Sequence, residues 1–194
     1  MSLCTNEFIT VVSGLPRSGT SMLMQMLAIA GYPCLTDGVR KANADNPRGY
    51  FEYEKVKRLR RDCSWMPEAQ GKAVKIIAQL IPFLPPQFSY RVIFVERDIN
   101  EVLASQRQML QRQGKSGGSL SDAQLGQIFE RQVCEVQQML TQRNIPTLNV
   151  AYLAALHHPM QIAEKIQVFF GEDLDVCAMA AAVDPNLYRQ RCKQ

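Results

Sequence analysis

The chain has 194 residues, of which 46% are apolar and 21% charged; a chain of this size buries roughly 70% of its extended surface on folding, enough for one core. That excludes a disordered or fibrous protein and predicts a single domain over 1–194. A net charge of +4 with a pI near 8.8 suits an anionic small molecule, whereas the basic residues are too scattered to predict a nucleic-acid partner.

Residues 1–7 have neither the basic start nor the apolar stretch of a secretion signal, so a cytoplasmic protein is expected. No membrane span is expected either, since Gln25 interrupts the apolar stretch at 22–29 and Pro82 stops the one at 76–81. Phe8-Ile9-Thr10-Val11-Val12 is a β-branched run leading to Gly14, and Met22-Leu23-Met24-Gln25-Met26-Leu27 is a helix former closed by Gly31. This first unit is strand, glycine loop, helix.

The irregular stretch 31–50 follows, and in open parallel sheets such connections at strand carboxyl ends form the ligand crevice. Further strands are predicted at 73–78, 91–95 and 145–150, with helical stretches near 52–63, 99–113, 121–143 and 159–170. This alternation predicts an α/β fold with a mostly parallel sheet and helices on both faces. Gly114-Lys115-Ser116-Gly117-Gly118-Ser119 reads as a surface loop or a substrate lid, with Ser121 or Asp122 capping the next helix. The six cysteines, at 4, 34, 63, 134, 177 and 192, show no metal-finger spacing and read as reduced thiols, so neither a disulfide nor a metal site is expected.

Gly14-Leu15-Pro16-Arg17-Ser18-Gly19-Thr20-Ser21 carries the two glycines of a phosphate loop five positions apart, between strand and helix. In such a loop inward-pointing amides and the positive end of the helix dipole hold a phosphate, and Thr20 and Ser21 add hydroxyl donors. Thr20 stands where the nucleoside-triphosphate pattern places lysine, and the cation sits inside the loop at Arg17. That favours a transfer with less charge to neutralise than magnesium-triphosphate chemistry.

The Pro16-Arg17-Ser18-Gly19-Thr20 run resembles the first signature of sulfotransferases that use 3′-phosphoadenosine 5′-phosphosulfate (PAPS), which read Pro-Lys/Arg-Ser-Gly-Thr after the opening strand. The resemblance implies a P-loop nucleotide-binding fold, with the loop on the 5′-phosphosulfate and Arg17 near the bridging oxygen. The family's second signature is an arginine at a strand end and a serine eight residues on, both on the 3′-phosphate; Arg97 and Ser105 have that spacing. Read without the family, Arg97 offers a planar fork for an anion or pairs with Glu101, and Ser105 donates its hydroxyl or bonds back to a helix carbonyl. Lys75 resembles the family's strand-end lysine that aids transfer, and a lysine in an apolar strand needs a partner or a wet cleft. Tyr152 resembles a tyrosine placed near the adenine; otherwise its ring packs under the helix at 159–170.

Two departures stand out. Ile77 occupies the position where cytosolic members have a histidine base, and the late Arg-Lys-Gly clamp on the 3′-phosphate is absent. In Leu187-Tyr188-Arg189-Gln190-Arg191, Arg189 or Arg191 substitutes for the clamp or the segment is a solvated tail, and His157 and His158 are poorly placed to replace the base. Sulfuryl transfer builds charge on the departing oxygen, so cations and amides are needed there: Arg17, Lys75 and the amides of 18–21. An acceptor hydroxyl needs a base, and Glu52, predicted in the first turn of a helix, is the choice; Glu54 is expected to pair with Arg58 at i,i+4.

The resemblance thus implies a compact, bacterial-type sulfotransferase that moves a sulfuryl group from PAPS to a hydroxyl or amine of a small-molecule or glycan acceptor and releases adenosine 3′,5′-bisphosphate (PAP). Two alternatives stay open at this point. One is a divergent P-loop kinase using ATP-magnesium, with Glu96 or Asp98 holding the metal; the other is a non-catalytic nucleotide-binding module.

Overall fold

The structure is a computed structural model and describes residues 8–43, 46–114 and 118–188. Four strands, β1 (Ile9–Gly14), β2 (Ala73–Lys75), β3 (Tyr90–Glu96) and β4 (Thr147–Ala151), pair in parallel in the order β2-β1-β3-β4. Side chains alternate along each strand: Ile9, Val11, Val92 and Phe94 point to one face, Val12, Ile93 and Val95 to the other. Both sets are apolar because both faces are covered, as expected for the α/β class.

On the face of Val12 and Ile93 pack α1 (Thr20–Ile29), α4 (Tyr152–His157), α5 (Pro159–Phe170) and α6 (Val176–Ala181). The opposite face receives α3 (Asp122–Gln142) through Val136 and Leu140, together with Trp65, Met66 and Ile81 from irregular segments. Leu15, Val102, Leu103 and Phe129 form a third cluster that seats α2 (Ile99–Arg112) against α3. Ser121 caps α3 in a reciprocal capping box with Gln124.

Arg91, only 6% exposed, shows how a basic residue serves the scaffold. Its guanidinium donates to Thr10 Oγ1 at 2.9 Å, the Phe170 carbonyl at 3.0 Å, Tyr32 Oη at 2.7 Å and Glu172 Oε1 at 2.8 Å. A buried cation needs such a full set of acceptors, and here they pin the end of α5 to β1 and β3.

Three sequence-based expectations are corrected. The strand predicted at 73–78 ends at Lys75, and a 3-10 turn over Ala78–Phe83, containing Pro82, replaces the rest. The strand predicted from 145 begins at Thr147, because Pro146 has no amide; its carbonyl instead accepts from Val92 N at 2.8 Å. The helix predicted near 52–63 does not form, and a 3-10 turn spans Glu54–Arg58. Lys55, Lys57, Arg58, Arg60 and Arg61 would crowd like charges at helical spacing. Tyr53 and Trp65, edge to face at 5.5 Å, instead anchor the segment to the core.

Among the described residues no helix is long and apolar enough to cross a membrane. Cys34, Cys63, Cys134 and Cys177 are free thiols. Residues 115–117 of the proposed lid, the amino-terminal seven residues, and Arg189 and Arg191 lie outside the described residues.

Candidate active site

The carboxyl ends of the four strands gather the site, because β1 lies between strands reached in opposite directions, the crevice-forming arrangement of open parallel sheets. After β1 the chain turns tightly, with Ser18 N donating to the Leu15 carbonyl at 3.1 Å. Positive φ values occur at Gly14 (151°), Arg17 (72°) and Gly19 (111°), so a non-glycine residue holds a costly left-handed conformation in the loop. α1 then starts with no side-chain cap and no acid in its first turn, which keeps its amide end suited to an anion. Ser18, 1% exposed, has an Oγ without a partner among the described residues. A buried unsatisfied hydroxyl costs about 1–3 kcal/mol, which a phosphate oxygen in the cradle would offset.

Gly14 is required by close approach as well as by φ. A Cβ there would lie 2.6 Å from the Val95 carbonyl oxygen and 2.5 Å from Ser18 Oγ, and β3 cannot retreat without breaking its ladder with β1. Gly14→Ala is expected to cost about 2–3 kcal/mol and to lower the melting temperature by roughly 4–12 °C. Thermal denaturation matching the wild type would contradict this.

Arg97 follows β3 directly and Ser105 lies on α2, and both contact the loop. Arg97 Nε donates to Glu101 Oε2 at 2.9 Å, and its Nη1 donates to the Arg17 carbonyl at 3.0 Å. Arg17 Nε donates to Ser105 Oγ at 3.0 Å, across 88 residues of sequence. The pairing of Arg97 with Glu101 and the approach to the loop therefore coexist, one edge of the guanidinium serving each.

Tyr152, the first residue of α4, supports this junction from below. Its ring fills the space beside Gly19, where a Cβ would meet it at 2.5 Å, and the Arg97 guanidinium lies 4.3 Å above it. Tyr188 packs edge-on against Tyr152 at 5.7 Å and donates its hydroxyl to Glu101 Oε1. Burial, with the Glu101 carboxylate adding to it, pushes the Tyr188 phenol up to about 12, so it stays a proton donor.

Lys75, 8% exposed, ends β2 beside the loop. Its ammonium donates to the Tyr50 carbonyl, to Ser21 Oγ at 3.3 Å and to Glu52 Oε1 at 3.4 Å. Burial lowers its pKa from the usual lysine value to about 8; Glu52 opposes this, while Arg40 and Arg17 reinforce it. Glu52 Oε1 also accepts from Arg40 Nη1 at 2.8 Å, and that guanidinium lies 3.4 Å from the centre of the Tyr50 ring.

Glu52 is not in the first turn of a helix, as the sequence predicts. It sits in an irregular segment just after Phe51, whose φ of 50° turns the chain. Nor does Glu54 pair with Arg58: in a 3-10 turn the facing neighbour is three residues on, and Lys57 Nζ reaches Glu54 Oε2 at 2.7 Å.

A cavity of about 440 Å³ joins these parts, lined by Arg17, Gly19, Thr20, Ser21, Glu52, Lys75, Arg97, Ser105 and Tyr152, with Ser18 buried beneath. Ile77 forms part of its wall, whereas His157 and His158 lie outside it. Glu96 and Asp98 lie outside it too: Asp98 caps α2 by accepting from Glu101 N at 3.1 Å, and Glu96 accepts from Gln137 at 3.4 Å.

No protein-family model matches the chain, and a search of curated proteins finds no match. Solved structures do match. The crystal structure of sulfotransferase STF9 from Mycobacterium avium aligns with a TM-score of 0.56 over 91% of this chain and 67% of that one, at 12% identity. The sulfotransferase domain from the curacin biosynthetic pathway aligns with a TM-score of 0.53 over 92% of this chain and 84% of its own, at 13% identity. The chain shares the fold of these sulfotransferases. Identities this low concern the fold alone.

Sequence reasoning missed several parts of the site. Arg40 holds Glu52 and Tyr188 backs Tyr152, whereas the pairing of Glu101 with Arg97 was one of the readings offered. Arg48 donates to the Ala182 carbonyl and to Asp184 Oδ2 at 3.1 Å, tying the segment before Glu52 to the turn at Pro185–Leu187. The one available signal was the polar and aromatic density of Asn46-Pro47-Arg48-Gly49-Tyr50-Phe51-Glu52.

Proposed function

We propose that the protein is a PAPS-dependent sulfotransferase that passes a sulfuryl group to a hydroxyl or amine of a small-molecule or glycan acceptor and releases PAP. The observation that carries this reading is the direct contact of the two anion-binding elements, Arg17 with Ser105 at 3.0 Å and Arg97 with the Arg17 carbonyl at 3.0 Å. One ligand with two anionic ends meets both elements in a single cavity.

The donor, when bound, supplies an activated sulfuryl group on a phosphate leaving group. The first-turn amides of α1, Ser18 and Thr20 fit its 5′ end, and Arg97 and Ser105 fit its 3′-phosphate, with Tyr152 as the shelf beneath. Arg17 and Lys75 stabilise charge that develops on the departing oxygen. Glu52 accepts the proton of the acceptor hydroxyl as the new oxygen–sulfur bond forms and the bond to the phosphate oxygen breaks. Its Oε1 is engaged by Arg40 and Lys75, and Oε2 is the atom assigned to the proton.

A kinase reading loses support, because Thr20 replaces the phosphate-loop lysine and Glu96 and Asp98 are placed elsewhere. Calorimetric titration with PAP beside ATP-magnesium tests the choice. PAP is expected to bind, and Arg97→Ala and Ser105→Ala are each expected to weaken it by about 1–3 kcal/mol. PAP affinity unchanged in both variants, or tight ATP-magnesium binding with no response to PAP, would reject the assignment. PAP binding with no transfer to any acceptor would favour the non-catalytic module.

A further inference from the structure

Beyond the donor contacts, the cavity has a second wall on the side of Lys75 and Glu52. Val56 from the turn at Glu54–Arg58, Ile77 and Leu80 from the segment after β2, and Met109 from α2 make this wall apolar. Along α2, Ser105, Met109 and Arg112 recur four and three residues apart. One helix face therefore runs from the donor contact, across an apolar patch, to a cation at the rim. Lys57, next to Val56, brings a second cation to the same cavity.

The charge balance of the lining points the same way. Among the described lining residues the cations are Arg17, Arg40, Lys57, Lys75, Arg97 and Arg112, against the acids Glu52 and Asp184. The reading above uses Arg17, Lys75 and Arg97 for the donor. Arg40 is held on Glu52 at 2.8 Å, and Asp184 is held by Arg48 at 3.1 Å. Lys57 is joined to Glu54 at 2.7 Å and Arg112 has a contact of its own, but both cations are exposed, so water and a competing anion exchange with those partners at small cost.

The methyl, methylene and thioether groups of Val56, Ile77, Leu80 and Met109 give an acceptor an apolar seat, bordered on α2 by the amides of Gln106 and Gln108. We propose that the acceptor is an anionic amphiphile: a hydroxyl compound whose apolar body lies on Val56, Ile77, Leu80 and Met109 and whose carboxylate or phosphate meets Lys57 and Arg112. The inference deepens the sulfotransferase reading and rests on it. It narrows the acceptor from any small molecule or glycan to one with a hydroxyl at Glu52, an apolar middle and a charged far end.

The test uses the full chain saturated with PAP, so that it reads acceptor binding without turnover. ω-Hydroxydecanoate, its methyl ester, ω-hydroxydecyl phosphate and glucose are titrated calorimetrically at low and high salt. The acid and the phosphate are expected to bind about tenfold more tightly than the ester, as two partly exposed charge contacts allow. The gap between acid and phosphate distinguishes the two anion sources. The preference is expected to shrink with added salt and to fall within about twofold in the Lys57→Gln/Arg112→Gln double variant. Met109→Ser is expected to weaken acid and ester alike, which separates the apolar contact from the charge contact.

Ester binding as tightly as the acid, glucose binding better than either, or no binding by any probe to the PAP complex would overturn this inference and leave the donor assignment standing. Failure of PAP itself to bind would overturn the assignment beneath it.

Discussion

Lys75→Met is expected to give a protein that melts higher than the wild type and, under the proposed mechanism, transfers the sulfuryl group about a hundredfold to a thousandfold more slowly, the range for losing one donor that faces developing charge. The stability gain follows from the lowered pKa. Burial brings the Lys75 ammonium to about 8, so below that pH the folded chain bears the cost of a charge that the unfolded chain carries in water. Between about pH 8 and the usual lysine value near 10.5 the unfolded state binds more protons than the folded one. This group's contribution to stability therefore rises with pH across that window.

Methionine removes the buried charge. Its advantage should be roughly 1–3 kcal/mol below pH 8 and should fade toward pH 10.5. If the charged ammonium acts as proposed, the wild-type rate should fall as pH rises through about 8. Thermal melts at several pH values and a pH–rate profile check both halves. A variant less stable than the wild type at pH 7 would show that the contacts to Tyr50, Ser21 and Glu52 outweigh the burial penalty.

Glu52→Gln is the second large effect. Glutamine keeps an oxygen for Arg40 and nearly the same shape but cannot take a proton, so kcat with a hydroxyl acceptor is expected to fall by about 10²–10⁴-fold. PAP affinity should change little, because Glu52 has no part in the proposed contacts to the nucleotide. Single-turnover rates beside PAP calorimetry make this separation. Unaltered turnover with every hydroxyl acceptor tried would remove Glu52 from the chemistry.

The phosphate loop was legible because its information is local: glycines at fixed spacing, a β-branched run before them and a helix former after them dictate a strand, a tight turn and an uncapped helix end. The Arg97–Ser105 spacing was legible for the same reason, since eight residues across a strand end and two helical turns leave little freedom. Lys75 stood out as a charge in an apolar strand. Glu52 lines the cavity, but its surroundings were not legible.

The helix predicted around it depended on local propensity, and the burial of Tyr53, Val56, Leu59 and Trp65 overrode that propensity through contacts made only on folding. Glu101 on Arg97 is an i,i+4 pair that the spacing offered, whereas Arg40 on Glu52 and Arg48 on Asp184 join segments whose approach no short-range pattern encodes. The last spans 136 residues. Tyr188 was hidden in the same way, reading as part of a polar tail while its ring closes the floor under Arg97.

The contact between Arg17 and Ser105 bears on the energetics of nucleotide capture. Arg17 Nε and Ser105 Oγ share a hydrogen bond at 3.0 Å, so under the proposed donor assignment a phosphate that takes either group gains only the difference between the bond it makes and the bond it displaces. In return, a guanidinium held by that bond has less side-chain entropy to lose on capture. Affinity should therefore be modest in enthalpy yet sharply selective in shape, because an anion at only one end of the pair breaks the link without replacing both halves of it.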